Sequence, residues 1–175
     1  DSFPPVVIFR GPSGTGKTTM ARITAAALNC TDLGPKGDPC TQCDNCIAIR
    51  NGNFVGVYEH NAAVENGADA MRAVQEKTFL YSQGDYNVFI LDEVQSLSQQ
   101  AWKVLLKTFE EPVPGNVFIL VTSEPTKIPR TIQTRAVSYD FGRVGPELAL
   151  RKVTHRITDH FLVRGQQHGV LSVKR

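Results

Sequence analysis

Residues 6–18 leave the backbone of this chain few choices. Val6-Val7-Ile8-Phe9 is a short, wholly apolar run, the pattern of a parallel strand buried on both faces. It is closed by Gly11-Pro12-Ser13-Gly14-Thr15-Gly16-Lys17-Thr18, which fits G-x-x-x-x-G-K-[ST]. A helical rhythm follows from Lys17 to Asn29, with Met20, Ile23, Ala27 and the Ala25-Ala26-Ala27 block expected to face one way. A strand joined to a helix through so few residues must curl tightly, and glycines permit the backbone angles that this curl needs. Successive N–H groups then point inward, and the positive end of the helix dipole adds to them, which suits a phosphate group. The spacing implies that Lys17 reaches the β- and γ-phosphates of a nucleoside triphosphate and that the Thr18 hydroxyl ligates Mg²⁺. The expected ATP-binding set is Gly11, Pro12, Ser13, Gly14, Thr15, Gly16, Lys17, Thr18 and Thr19.

Further apolar runs alternate with helical patterns. Val55–Tyr58, Val88–Leu91 and Val117–Val121 read as strands, and Ala136–Tyr139 as a fifth. Residues 67–81 read as a helix with Met71, Val74 and Thr78 on one face. Gln99–Glu110 reads as an amphipathic helix with Trp102, Leu105, Leu106 and Phe109 at i, i+3, i+4 and i+7. This alternation predicts an α/β fold with a mainly parallel five-stranded sheet flanked by helices. After Gly145-Pro146 a basic helical pattern begins, so residues 1–145 are expected to form the main domain and 146–175 the start of a second.

Ile90-Leu91-Asp92-Glu93 sets two carboxylates at the end of the third predicted strand, on the sheet edge where the glycine turn also lies. Asp92 is placed to hold Mg²⁺, directly or through water, and Glu93 to orient and polarise a water attacking the γ-phosphate. A second carboxylate there favours hydrolysis over transfer to a small acceptor.

Cys30, Cys40, Cys43 and Cys46 are spaced C-x9-C-x2-C-x2-C within a Gly/Pro/Asp-rich interruption over 31–52. Thiolates two residues apart can bind one ion without backbone strain, and four with no histidine between them fit a closed, tetrahedral Zn²⁺ site. An iron–sulfur cluster is the rival, although the fourth cysteine lies on the wrong side and no Cys-Pro follows. Unmetallated thiols or disulfides are the third reading.

Composition narrows the classes further. No apolar run approaches the ~18 residues of a membrane span, and the N-terminal Asp-Ser-Phe-Pro-Pro is not a signal peptide. No membrane role is expected, and a reducing cytoplasm is. Residues 151–175 carry six Lys/Arg against Asp159 alone, a net +5 in a chain of net +2. That tail could touch DNA phosphate, but it reads better as a solvated helix face. His155, His160 and His168 lack i, i+4 ligand spacing and read as surface residues.

The order of these motifs, followed by Leu105-Leu106-Lys107-Thr108-Phe109-Glu110-Glu111-Pro112, resembles the AAA+ ATPase domain of the bacterial DNA polymerase III gamma/tau clamp-loader family. The resemblance runs from about Val6 to Gln166. It implies a P-loop AAA+ fold, with 146–175 as the start of a helical lid and 30–52 as an inserted zinc module. It implies an ATP-driven motor that opens a sliding clamp and loads it on primer–template DNA beside other clamp-loader subunits. It also implies roles for Ser123, with Thr122 as its neighbour, as the sensor of the γ-phosphate, and for Arg135 in Thr134-Arg135-Ala136 as an arginine finger acting in the next subunit's site. Asn61 and Ala136 depart from the family's Asp and Cys and mark a divergent member. Without a starting Met, the chain is expected to be part of something longer. The family's adenine-holding segment and second sensor arginine fall outside it, so weak nucleotide binding and slow hydrolysis are expected of these residues alone. The alternatives are a non-hydrolysing scaffold subunit of the same complex and an unrelated P-loop kinase or nucleotide-dependent switch.

Overall fold

The computed structural model describes residues 3–35 and 37–142; the expected lid segment 146–175, its DNA-facing charges and its three histidines lie outside the described residues. Five strands, β1 (Val6–Arg10), β2 (Val57–Asn61), β3 (Asn87–Asp92), β4 (Asn116–Thr122) and β5 (Val137–Asp140), form one sheet in the order β2-β3-β4-β1-β5. Every adjacent pair is parallel. Among the described residues five α-helices accompany them: α1 (Lys17–Leu28), α2 (Asp44–Arg50), α3 (Ala68–Lys77), α4 (Gln99–Glu110) and α5 (Arg130–Gln133).

The sheet is covered on both faces, as the unbroken apolar runs of β1, β3 and β4 require. On one face Val7, Phe9, Val88, Ile90, Val117, Ile119 and Val121 meet α1. On the other, Phe89, Leu91, Phe118 and Leu120 pack against Met71 and Val74 of α3 and Trp102, Leu105 and Phe109 of α4. Tyr58, Phe89 and Phe118 stack across three strands at centroid separations of 5.1 and 4.9 Å.

The inward face of α1 differs from expectation. Met20 and Ile23 are each 42% exposed, whereas Ala25, which belongs to the expected alanine block, and Ala21 are fully buried. Two alanines at i, i+4 let the helix approach the sheet closely, so the small side chains, not the bulky ones, mark its inner stripe. Strand β2 starts two residues later than its apolar run. Gly56, at φ 119, turns the chain beside Ser82, where a Cβ would stand 2.5 Å from the Ser82 hydroxyl. Pairing with β3 then carries the strand to Asn61, opposite Asp92. Helix α2 has no counterpart in the sequence reading, because the cysteine segment shows no apolar rhythm. Helix α3 ends at Lys77, short of the expected 81.

Helix α4 starts where its sequence indicates, because the Ser98 hydroxyl accepts a hydrogen bond from the Ala101 N–H at 3.1 Å. Ser98→Ala is expected to lower stability by about 1 kcal/mol. The denaturant midpoint should fall with the slope unchanged, while Ser98→Asp keeps it.

Candidate functional site

Three strand ends build the site. Strand β1 stops at Arg10, and the Gly11 N–H reaches across to the Thr122 carbonyl at the end of β4. Gly11 lies so close to the chain beyond β5 that a Cβ would stand 2.1 Å from the Phe141 carbonyl oxygen, which excludes every other residue. Gly14 and Gly16 then take left-handed angles, φ 77 and 87, and curl the loop into the first turn of α1. No acidic residue stands in that turn, so its positive end is unopposed. Lys17 is only 6% exposed; its ammonium lies on the loop, donating to the Gly11 and Pro12 carbonyls at 2.8 and 2.9 Å. Thr15 closes the turn onto the Pro12 carbonyl at 2.9 Å, and Thr19 faces solvent on α1.

The acidic pair meets this loop directly. The Thr18 hydroxyl donates to one Asp92 carboxylate oxygen at 2.8 Å, and the other accepts the Glu93 N–H at 2.8 Å. A hydroxyl and a carboxylate in contact are hard oxygen donors of the kind Mg²⁺ takes. The curled loop, the helix start and Lys17 form the complementary half of a triphosphate site, so the residues present fit a Mg²⁺-nucleotide. Glu93 sits at φ 54, ψ 39, a left-handed conformation rare outside glycine, and such strain gathers at functional sites.

Its carboxylate accepts a hydrogen bond from the Gln95 amide, which also donates to the Ser123 hydroxyl at 3.2 Å. Thr122 is fully buried and donates to Gln95 at 2.8 Å. Lys17, Thr18, Asp92, Glu93 and Ser123 are thus gathered on one sheet edge. Gln95 was missed in the sequence, where its position two residues beyond the acidic pair was the available signal.

Arg135 lies elsewhere. It follows α5, and β5 begins opposite Val7, near the start of β1. The phosphate loop is at the other end of that strand, about 13 Å further on. Its guanidinium is exposed, donating to the Thr131 carbonyl at 2.9 Å and to Glu110 at 3.3 Å. Asn61, at the end of β2, accepts the Ala63 N–H on its side chain at 2.9 Å and takes no part in the loop contacts.

The cysteines form a second cluster. Their four sulfurs lie within 4.8 Å of one another, and Cys30 and Cys43 are 4.0 Å apart. A tetrahedron of sulfurs ~2.3 Å from a central ion has edges of ~3.8 Å, so the arrangement fits zinc. Backbone N–H groups of Asp32 and Cys40 point at Cys30 Sγ, that of Cys43 at Cys40 Sγ, and that of Cys46 at Cys43 Sγ, all at 3.3–3.4 Å. Donors aimed at sulfur favour thiolates. The backbone N–H groups of Cys46 and Thr31 bring the Cys43 thiol down to about 6. Burial first, and the hydrogen bond with Cys43 second, push Cys46 up to about 12, and a bound dication reverses that preference for the protonated form. Cys43 also caps α2, and Asn45 ties the module to α1 by donating to the Asn29 carbonyl at 2.8 Å.

A five-stranded parallel sheet in this order, with the glycine loop after β1 and an acidic pair after β3, defines a P-loop protein of the AAA+ class. A solved DNA polymerase III gamma subunit-related protein from Thermotoga maritima shares the fold, with a TM-score of 0.62 at 19% identity over 84% of this chain and 44% of that one. The chain belongs to the DNA polymerase III delta-subunit family, whose model matches residues 1–144. The gamma/tau resemblance is borne out by individual relatives. The DNA polymerase III subunit tau of Bacillus subtilis is 46% identical over 138 residues, covering 78% of this chain and 24% of its own length. That of Escherichia coli K12 is 35% identical over 159 residues, covering 89% and 24%. The chain therefore spans about a quarter of the length of these curated relatives. Among the described residues no helix is long and apolar enough to cross a membrane.

Proposed function

We propose that this chain is the ATP-binding and hydrolysing motor of a DNA polymerase III clamp loader, working in the bacterial cytoplasm. The contact of Thr18 with Asp92 carries the reading, because it joins the phosphate loop to the acidic pair in one site. Lys17 exchanges its loop carbonyls for β- and γ-phosphate oxygens when the substrate enters. Thr18 and Asp92 would hold Mg²⁺, which when bound supplies charge neutralisation on those phosphates. Glu93 orients a water and accepts its proton as the water oxygen attacks the γ-phosphorus and the bond to the ADP oxygen breaks. Ser123 faces the γ-phosphate. Arg135, too far along β1 to serve its own loop, is assigned to the site of the adjacent subunit. Cys30, Cys40, Cys43 and Cys46 would hold a structural Zn²⁺, which when bound ties their loop and α2 together. The partners proposed are the other clamp-loader subunits, the sliding clamp and primer–template DNA.

A non-hydrolysing scaffold would bind nucleotide with the same loop, and Glu93 separates the two readings. Glu93→Gln is expected to lower single-turnover hydrolysis of Mg²⁺-ATP by ~10²–10⁴-fold. Affinity for a non-hydrolysable analogue, measured by calorimetry, should stay within about twofold, whereas Lys17→Ala abolishes it. A wild-type chain that binds the analogue but shows no turnover above that of Glu93→Gln, alone or with its partner subunits, would establish the scaffold instead.

A further inference from the structure

Gln95 occupies a position that neither its sequence motif nor the reading above explains. It lies in the single turn Val94–Ser96, pinned by buried Val94 on one side and buried Leu97 on the other, so its backbone has little freedom. Each polar atom of its carboxamide is engaged. The oxygen accepts the Thr122 hydroxyl at 2.8 Å, and the nitrogen donates to Glu93 Oε2 and to Ser123 Oγ at 3.2 Å.

The Glu93 carboxylate fixes the direction of this chain of hydrogen bonds. Thr122 Oγ1 accepts the Glu124 N–H at 3.0 Å, which leaves its own proton to donate to Gln95. Glu93, when ionised, can only accept. Rotating the amide by half a turn would set its oxygen against the Glu93 carboxylate, two acceptors face to face. The Glu93 carboxylate therefore selects this orientation, Thr122 complements it, and the half-buried amide has all its polar atoms satisfied, which restricts its motion. One planar group then fixes the separation between Glu93 and Ser123. Ser123 still has its own proton to give to a phosphate oxygen while accepting from Gln95.

We propose that Gln95 is a positioning residue for the hydrolytic step, locked by Thr122, which holds the Glu93 carboxylate in register with Ser123. The inference rests on the reading of Glu93 as the group that orients the water. A general base displaced by about 1 Å costs on the order of a hundredfold in rate, so the effect belongs to turnover and not to nucleotide affinity.

Gln95→Met keeps the length of the side chain and removes all three hydrogen bonds. It is expected to lower the single-turnover rate about tenfold to a hundredfold, with analogue affinity within about twofold of wild type. Thr122→Val should act in the same direction, Thr122→Ser should recover the rate, and the Gln95→Met, Thr122→Val pair should be no slower than the slower single variant. A readout independent of turnover is the exchange of the Gln95 side-chain amide protons with water, followed by NMR on the ¹⁵N-labelled chain. Slow exchange in wild type and Thr122→Ser, and fast exchange in Thr122→Val, supports the lock; equal exchange in all three overturns it. If Glu93→Gln abolishes turnover but Gln95→Met does not slow it, the positioning role is wrong and the motor reading survives. If Glu93→Gln turns over normally, the motor reading fails and the positioning role falls with it, whatever the exchange rates show. Circular dichroism of each variant, with analogue binding retained, separates these outcomes from a failure to fold.

Discussion

Cys43→Ser is expected to strip zinc from the chain and to unfold the segment from Cys30 to Gly52 while the sheet stays intact. The substitution is chosen because Cys43 has two roles. Its sulfur accepts the Cys46 N–H as the cap of α2, and serine performs that role well. Whatever is lost is then due to the missing thiolate and not to the missing cap. Helix α2 has seven residues, too few to be stable alone, and its loop carries little apolar mass. Structural zinc binding is worth about 10–16 kcal/mol near pH 7, far more than the helix can supply. Zinc content by elemental analysis should fall from one per chain to zero, and α2 amides should lose protection from exchange while β3 and β4 keep theirs. Because the metal competes with protons for the thiolates, acidification should release it. A wild-type chain without zinc that nonetheless keeps α2 folded would end the metal assignment.

Arg135→Ala carries the other large effect, in the assembled complex and not in the chain alone. An arginine finger neutralises charge that develops in the transition state of phosphoryl transfer, and its removal costs ~10³–10⁵ in rate. Arg135 is separated from its own phosphate loop by the length of β1, so it has no access to nucleotide bound in the same chain. Its present partners, the Thr131 carbonyl and Glu110, are exposed and hold it weakly. Analogue affinity of the isolated Arg135→Ala chain should equal that of wild type, and ATP turnover of the complex with its partner subunits should collapse. A loss of affinity in the isolated chain would mean that Arg135 acts in its own site. Unchanged turnover in the complex would remove it from catalysis.

Much of this molecule is legible in its residues because the governing physics is local. The strands β1, β3 and β4 are unbroken apolar runs, and α4 begins at a serine cap and repeats its apolar residues at helical spacing. The glycines at 11, 14 and 16 and the closely spaced thiols at 40, 43 and 46 are each dictated by what neighbouring residues must do together. Lys17, Thr18, Asp92 and Glu93 could be named because parallel strands deliver their ends to one sheet edge.

What escaped depends on neighbours distant in the chain. Met20 and Ile23 read as sharing the inner stripe of α1 with the alanine block, but the sheet across from it takes the alanines 21 and 25 and leaves the bulky pair exposed. The late start of β2 follows from Gly56 turning beside Ser82 and from pairing with β3. Gln95 is an ordinary polar residue until β4 brings Thr122 and Ser123 to it from 27 and 28 positions away. Local propensity and spacing thus determined the central strands β1, β3 and β4, the phosphate loop and the thiol cluster. Tertiary packing alone decided which helix face turns inward and which side chain joins Glu93 to Ser123, because both depend on contacts that exist only once the sheet is assembled.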